Sequence, residues 1–349
     1  MQISSDKYKK VLIFNPSFIG DAILTTPLIN AVRALIPEAT IDFCVRPESA
    51  PLFEGLPNLN IIKFDKRGEY KGLAGLLKFV KLLKGYDIVI TPHKSTRSIL
   101  ALFLARIPVR IGFRQSALSM LLTGKVNRRL TLHEVERNLS LLSLITDNYS
   151  LTVAKTLGGT PVTIYDEKFG KVAGEFMQNA SEGRKIIGLN PGSTWATKRM
   201  PVEHFAKVAQ LLYDKGYALA IFGGPADVEV TDKLKSLLPM EFFDYANTVE
   251  FRQIPALIKN IDLLITNDSA PLHIAVSQNT PTVAIFGATV PTLGFSPYDN
   301  VSVICENNEL SCRPCGLHGG NSCPEGHFKC MIDLKPEEIV AATERILNG

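Results

Sequence analysis

The sequence predicts an α/β fold of two similar domains, each opening with a strand whose carboxyl end faces a shared cleft. Three observations carry this expectation. Short apolar runs alternate with amphipathic helical patterns through both halves, as a parallel sheet with crossovers requires. An Asn-Pro step closes an apolar run at Asn15-Pro16 and again at Asn190-Pro191, half a chain apart, each followed by a small-residue loop and a helix. The chain has 349 residues, 46% of them hydrophobic, enough for two substantial cores.

In the first half, strands are expected at 11–15, 40–45, 60–64, 88–91 and 109–112. Between and after them lie helical patterns at 22–35, 73–83, 98–105 and 135–145. The inward positions of the first helix are Ile23, Leu28, Ile29, Val32 and Leu35. At 157–163 the pattern breaks into LGGTPVT, which reads as the linker. The second half opens with a helix at 167–179. Strands are then expected at 185–190, 218–222, 263–266 and 282–285, with helices at 202–215, 228–238, 252–259 and 271–277. A last amphipathic helix at 336–347 is expected to pack back on the first domain. The domains are thus 1–160 and 161–335, with 336–349 returning to the first.

The segment KIIGLNPGSTWATKRMP, residues 185–201, has the outline of an anion site. Backbone N–H groups of a small-residue loop and the positive end of the next helix can cradle phosphate oxygens, and Lys198 and Arg199 add full charge. Ser193 and Thr194 lie in that loop. A second such loop is TNDSAPLHIA, residues 266–275. Asp268 or Ser269 would cap the helix that Pro271 opens, and His273 stands in its first turn. A third follows the strand ending at Phe222. Gly223 and Gly224 allow a flat ligand near the backbone, and Asp227 or Glu229 can accept from ribose hydroxyls or cap a helix. Together the three loops indicate a nucleotide diphosphate held by the second half. Neither G-x-G-x-x-G nor G-x-x-x-x-G-K-[ST] occurs in the Asn-Pro loops, which disfavours a nicotinamide dehydrogenase and a P-loop NTPase.

The facing loop of the first half, 15–26, holds one carboxylate, Asp21, after Gly20. A carboxylate there can take a proton from an attacking hydroxyl, or cap the following helix. The halves differ in charge. Residues 1–165 carry 22 Lys+Arg against 12 Asp+Glu, whereas residues 166–349 carry 16 against 22. A basic first half suggests an anionic partner or a membrane surface there. No apolar run is long enough to span a bilayer, and the N-terminal segment lacks a cleavage pattern, so a cytoplasmic location is expected. Cys312, Cys315, Cys323 and Cys330, with His318 and His327 nearby, crowd one Gly/Pro-rich loop. In a reducing compartment this spacing favours metal over disulfide, and a structural zinc is one reading, reduced thiols the other. Cys44 and Cys305 read as buried apolar residues.

The motifs Ser17-Phe-Ile-Gly-Asp21, Asn190-Pro-Gly-Ser-Thr194 with Lys198, and Asn267-Asp-Ser-Ala-Pro-Leu-His273 resemble the bacterial ADP-heptose:lipopolysaccharide heptosyltransferases. The likeness spans nearly the whole chain and is greatest to the heptosyltransferase II group. It implies a GT-B glycosyltransferase fold of two Rossmann-like domains, with acceptor on the first domain, ADP-heptose on the second, and inverting transfer without a metal or cofactor in catalysis. It further implies an anionic lipopolysaccharide inner-core acceptor and a peripheral position at the cytoplasmic face of the inner membrane. No nucleic-acid partner is expected. By this likeness Asp21 is the general base and Lys198, Ser193 and Thr194 contact the diphosphate. Asp268, Ser269 and His273 then line the donor pocket, and Val249 packs on adenine. Ala270 departs from the glycine usual at that place. Ser17, Gly20, Lys94, Arg97 and Arg114, with Arg46 and Arg110, are expected on the acceptor side. Heptosyltransferase I or III, another sugar donor, a nucleotide-sugar 2-epimerase and a non-catalytic sensor remain as alternatives.

Overall fold

The computed structural model describes residues 8–349, which divide into two compact units after Ile164. The first contains β1 (Lys10–Phe14), α1 (Ile19–Ile23), α2 (Thr26–Leu35), β2 (Thr40–Val45), β3 (Asn60–Lys63), α3 (Gly72–Leu82), β4 (Ile88–Thr91), α4 (Thr96–Leu104), β5 (Val109–Phe113), β6 (Gly124–Val126), α5 (Glu134–Ser140) and α6 (Leu151–Gly158). Its six strands are parallel in the order β3-β2-β1-β4-β5-β6. Four of the five residues of β1 are buried, as expected of a central strand covered on both faces. On one face, α3 and α4 pack Leu76, Phe79, Val80, Ala101 and Leu102 against Leu12, Phe14, Cys44 and Val89. The aromatic rings of Phe64 and Phe79 stack at 4.1 Å within this layer.

The second unit contains α7 (Glu167–Ala180), β7 (Ile186–Asn190), α8 (Val202–Asp214), β8 (Ala218–Ile221), α9 (Val228–Ser236), β9 (Phe243–Asp244), α10 (Ile254–Lys259), β10 (Leu263–Asn267), α11 (Ala270–Ser277), β11 (Thr282–Phe286), β12 (Ser302–Glu306), α12 (Lys329–Ile332) and α13 (Pro336–Asn348). The parallel order β12-β11-β10-β7-β8-β9 repeats the topology of the first unit. In each sheet the strand order reverses beside the first strand, between β1 and β4 and between β7 and β10. Crevices at such switch points, beyond the strand carboxyl ends, are where open α/β sheets bind ligands.

Three expectations need correction. The helix expected over 22–35 is two helices, because Leu24 and Thr25 break it and Thr25 becomes the N-cap of α2, with Pro27 in its first turn. Asp21 therefore sits inside α1 and caps neither helix. The last helix, expected on the first domain, belongs to the second unit: α13 packs on α8 and β12, with Ile339, Val340 and Ala342 in that unit's core. Finally, β6, β9 and β12, at the sheet edges, and the helices α6 and α12 were not anticipated. The first two strands have only three and two residues, too few for a period to show.

Candidate active site

At the first unit's switch point, Asn15 organises the loop after β1. Its Nδ2 donates to Thr25 Oγ1 at 2.8 Å, its Oδ1 accepts from Ser17 Oγ at 2.7 Å, and Thr25 Oγ1 donates to the Asp21 carbonyl at 2.8 Å. Ser17 is thus a hydrogen-bonding partner within its own loop. The neighbouring strand contributes Thr91, whose Oγ1 donates to the Phe14 carbonyl at 2.9 Å. Asp21, held by these bonds, has a carboxyl pushed up to about 7. Burial is the main cause and the Glu134 carboxylate adds to it, while a backbone N–H bond from Phe18 and the cations Arg128 and Arg46 oppose it.

Cations surround this carboxylate. Arg46, following β2, donates its Nε to the Pro16 carbonyl at 3.0 Å and lies 4.7 Å over the Phe18 ring. Lys94, following β4, is half-buried. Burial first, then the charge of Arg128, pulls its ammonium below the usual lysine range. His93 is pushed down to about 4, by burial and then by Lys66, Arg46 and Lys94, so it is neutral near pH 7, and its Nδ1 lies 2.8 Å from Ser98 Oγ. Glu134, Arg128 and Arg137 form a buried triad, with Arg137 Nη1 2.9 Å from Glu134 Oε2. Sequence reasoning passed over this triad, whose signal was the charge run Arg128, Arg129, Glu134, Glu136, Arg137. Two expected acceptor residues are committed elsewhere. Arg97 donates through Nη2 to the carbonyls of Tyr70 and Gly72 and so ties down the start of α3. Arg110 lies within β5 rather than at its end and donates to the Leu121 and Ile107 carbonyls. Arg114 is exposed just after β5.

In the second unit the loops after β7 and β10 are tied together. Asn267 Nδ2 donates to the Pro191 carbonyl at 2.8 Å, and its Oδ1 accepts from Met200 N at 3.2 Å. Lys198 Nζ lies 2.6 Å from Asp268 Oδ2, both nearly buried, and Thr289 Oγ1 donates to the same oxygen. Ser269 takes the N-cap position of α11 without a side-chain cap bond, and its Oγ is buried with no partner among the described residues. An orphan hydroxyl beside free helix N–H groups suits an anion. His273 is buried in that helix's first turn, and Ser193 is buried while Thr194 is exposed. The Ser193 carbonyl accepts from Arg199 Nε at 2.7 Å.

The third loop differs from expectation. A Cβ on Gly223 would lie 2.5 Å from Thr231 Cγ2, so this glycine makes room for α9 rather than for a ligand. Asp227 accepts from Gly224 N at 3.1 Å and lies against Gly192, where a Cβ would meet its Cγ at 2.2 Å. Asn247 N donates to the Gly223 carbonyl at 3.2 Å, which brings the half-buried Val249 segment to the same strand edge.

The cysteine segment braces the Lys198 turn. Gly320 and Thr197 exchange bonds, from Gly320 N to Thr197 Oγ1 at 2.8 Å and from Thr197 N to the Gly320 carbonyl at 3.0 Å. Cys330 is buried in the core, which pushes its thiol up to about 11, and Cys323 Sγ accepts from Phe328 N at 3.4 Å. Among the described residues no three His, Cys, Asp or Glu side chains are gathered as a metal site. Arg313, also missed from sequence, is almost fully buried and donates to the carbonyls of Phe286, Gly287, Thr289 and Asn307 and to Glu306.

The sequence profile described as glycosyltransferase family 9 (heptosyltransferase) matches residues 76–322. The chain belongs to that family. It is 29% identical over 342 residues to lipooligosaccharide heptosyltransferase 2 of Campylobacter jejuni, spanning 97% of this chain and 99% of that one. It is 26% identical over 357 residues to lipopolysaccharide heptosyltransferase 2 of Escherichia coli K12, spanning 97% and 98%. Among solved structures, the family 9 glycosyltransferase of Veillonella parvula superimposes with a TM-score of 0.84 at 24% identity, covering 100% of this chain and 99% of the other. Heptosyltransferase II of Escherichia coli gives 0.75 at 24% identity, covering 97% and 98%. The fold is the two-domain α/β form of GT-B glycosyltransferases, and the family 9 member described here is a glycosyltransferase. No helix among the described residues is long and apolar enough to cross a membrane.

Proposed function

We propose that this family 9 glycosyltransferase moves heptose from ADP-heptose onto the inner core of lipopolysaccharide with inversion at the anomeric carbon, in the manner of a heptosyltransferase II. One observation carries the mechanistic part of this reading: the carboxylate of Asp21 stands in α1, just after β1 at the first unit's switch point, where burial pushes it up to about 7. A general base works best when its pKa lies near the working pH. Asp21 takes the proton of an acceptor hydroxyl, and the oxygen attacks the anomeric carbon from the face opposite ADP. The bond to the diphosphate breaks, and that group leaves with added negative charge.

The second unit supplies groups suited to that charge. Lys198, the start of α11, the Ser269 hydroxyl and the 192–194 loop interact more strongly with the leaving diphosphate than with the intact donor. His273 and the Ser193 and Thr194 backbone complete the diphosphate site, and Asp227 and Val249 lie toward the nucleoside. Asp268 fixes the Lys198 ammonium before the donor arrives. The acceptor's acidic sugars and phosphates are read by Arg46, Lys66, Lys94 and Arg114, at or near the strand ends around Asp21. Because that acceptor is held in a lipid layer, the protein works peripherally at the cytoplasmic face of the inner membrane.

The similarity to lipopolysaccharide heptosyltransferase 3 of Escherichia coli, 27% over 344 residues, favours a second acceptor position as the alternative. The test is a product assay with ADP-heptose and inner-core acceptors bearing no, one or two heptoses. The reading expects ADP release that depends on acceptor and a product with the anomeric configuration opposite to the donor's. Release of ADP without acceptor, or epimerised donor, would overturn it.

A further inference from the structure

We propose that the outer face of α3 and α4 docks on an anionic lipid bilayer. The proposal rests on the reading above only in supplying a reason for the contact. Its evidence lies in the first unit itself. The inward side of α3 is Gly75, Leu76, Phe79 and Val80. An ordinary surface helix would place polar residues opposite. Here the outward rows are Leu73, Leu77 and Lys81, and beside them Ala74, Lys78 and Leu82. Leu73 is 73% exposed, Leu77 50% and Leu82 48%. The adjoining α4 adds Phe103 and Leu104, both exposed. Exposed apolar side chains of this size, three of them on α3 and two on the helix that packs beside it, mark an interaction surface rather than chance.

The charge around the patch selects the partner. Lys71, Lys78, Lys81 and Lys84 flank the leucines, and of these Lys78 alone forms an ion pair among the described residues, with Glu69 at 2.7 Å. From residue 70 to residue 133 the chain has 12 Lys+Arg and one acid, Asp87. That acid is used internally, since its Oδ2 accepts from the backbone N of Lys9 and Lys10. Exposed leucines that enter the acyl boundary, with lysines that reach headgroup phosphates, are the elements of an interfacial helix. A second copy of the chain would bring like charges together over this face. The position also suits a lipid-borne acceptor. Arg97 ties the start of α3 to the strand carboxyl edge, where Lys94 and Asp21 stand, so a bilayer on this face lies beside that edge.

The experiment is flotation of the full chain with extruded vesicles of phosphatidylglycerol and phosphatidylethanolamine, or of phosphatidylcholine. The protein is expected to float with the anionic vesicles and to stay behind with the neutral ones. Lys81→Gln with Lys84→Gln should weaken partition about twenty-five-fold, since each cation near an anionic surface counts for about fivefold. Leu73→Gln with Leu77→Gln should weaken it at least about tenfold. Leu77→Trp should show emission that shifts to the blue on adding anionic vesicles, beyond any change from Trp195, and reads insertion without disturbing the fold. These variants should retain turnover on a deacylated, water-soluble acceptor. Absence of vesicle binding, unchanged partition in the variants, an unshifted Leu77→Trp emission, or a dimer closed by this face would overturn the proposal. Because flotation needs neither donor nor turnover, these outcomes are independent of whether transfer is observed.

Discussion

Lys198 and Asp268 form a nearly buried ion pair at 2.6 Å across 70 residues of sequence, and Thr289 Oγ1 donates to the same carboxylate oxygen at 2.6 Å. The pair joins the loop after β7 to the loop after β10, so the cation proposed to meet a diphosphate has a fixed place. Asp268→Asn should leave the fold intact but let the ammonium wander, and a misplacement of about 1 Å can cost on the order of a hundredfold in rate. Lys198→Ala should weaken both donor affinity and turnover. In a double-mutant cycle the two changes should be far from additive, because each removes the same interaction. Additive losses would show that the pair holds the loops together and does not place the charge.

Asp21 gives a pH dependence with a definite sign. For the proposed base to act it must be ionised, so kcat/KM should rise about tenfold per pH unit below about 7 and level off above. Asp21→Asn should abolish most turnover while donor binding, followed by calorimetry with ADP, persists. Stability should move the other way. The carboxyl goes from an ordinary 3.8 to about 7 on folding, so the folded chain holds the proton more tightly. Its favourable contribution is whole below about 3.8 and is lost as pH rises through about 7. At pH 8 the Asn variant should therefore unfold higher, by about 2–4 °C for each kcal/mol of relieved burial in a unit of this size. The difference should vanish near pH 4. A flat rate profile across pH 6–8 would remove Asp21 as the base.

Gly192, in the loop proposed to bind the diphosphate, has its missing side chain demanded by a neighbour, the Asp227 carboxyl, which a Cβ would meet at 2.2 Å. Gly192→Ala should push the 190–194 loop off the start of α9 and weaken ADP binding at least about tenfold, the scale of an overpacking cost of 1–3 kcal/mol. Removing the obstacle in the double variant Gly192→Ala with Asp227→Ala should recover part of that affinity. No recovery would mean that the loop fails for a reason other than this contact.

How much of this was legible in the sequence depends on distance along the chain. The central strands β1, β4, β7, β10 and β11 announce themselves as apolar runs because both faces are covered. The candidate loops could be marked because a small-residue turn at a strand end is a local signal, so Asp21, Lys198 and Asp268 could be placed in loops and turns that follow strands. Pairings could not. Nothing local says that Lys198 meets Asp268, or that Arg97 spends its guanidinium on the carbonyls before α3. The break between α1 and α2 was missed because Leu24 and Thr25 continue the apolar period, and only the Asn15–Thr25 hydrogen bond shows why the helix stops there. The α3 lysines, read from sequence as solvated, become informative once Leu73 and Leu77 are seen to share their face.

Arg313 tests how the site is held from behind. Its guanidinium, 3% exposed, donates to four backbone carbonyls at the ends of β11 and β12 and to Glu306 at 2.8 Å. One of those carbonyls belongs to Thr289, whose hydroxyl holds Asp268, so the cysteine segment reaches Lys198 through Arg313, Thr289 and Asp268. Arg313→Leu leaves those carbonyls and the Glu306 charge unpaired in a place with little water. The cost should be about 3–5 kcal/mol in the second unit, read from its denaturant transition. Arg313→Lys should restore little, because a single ammonium cannot span acceptors arranged for a planar fork. Thr289→Val isolates the functional end of the chain: stability should fall by only about 1 kcal/mol, the worth of one hydrogen bond, while kcat falls as Asp268 loses its anchor. If Arg313→Leu unfolds as the wild type does, or Thr289→Val turns over normally, the brace ends before it reaches Lys198.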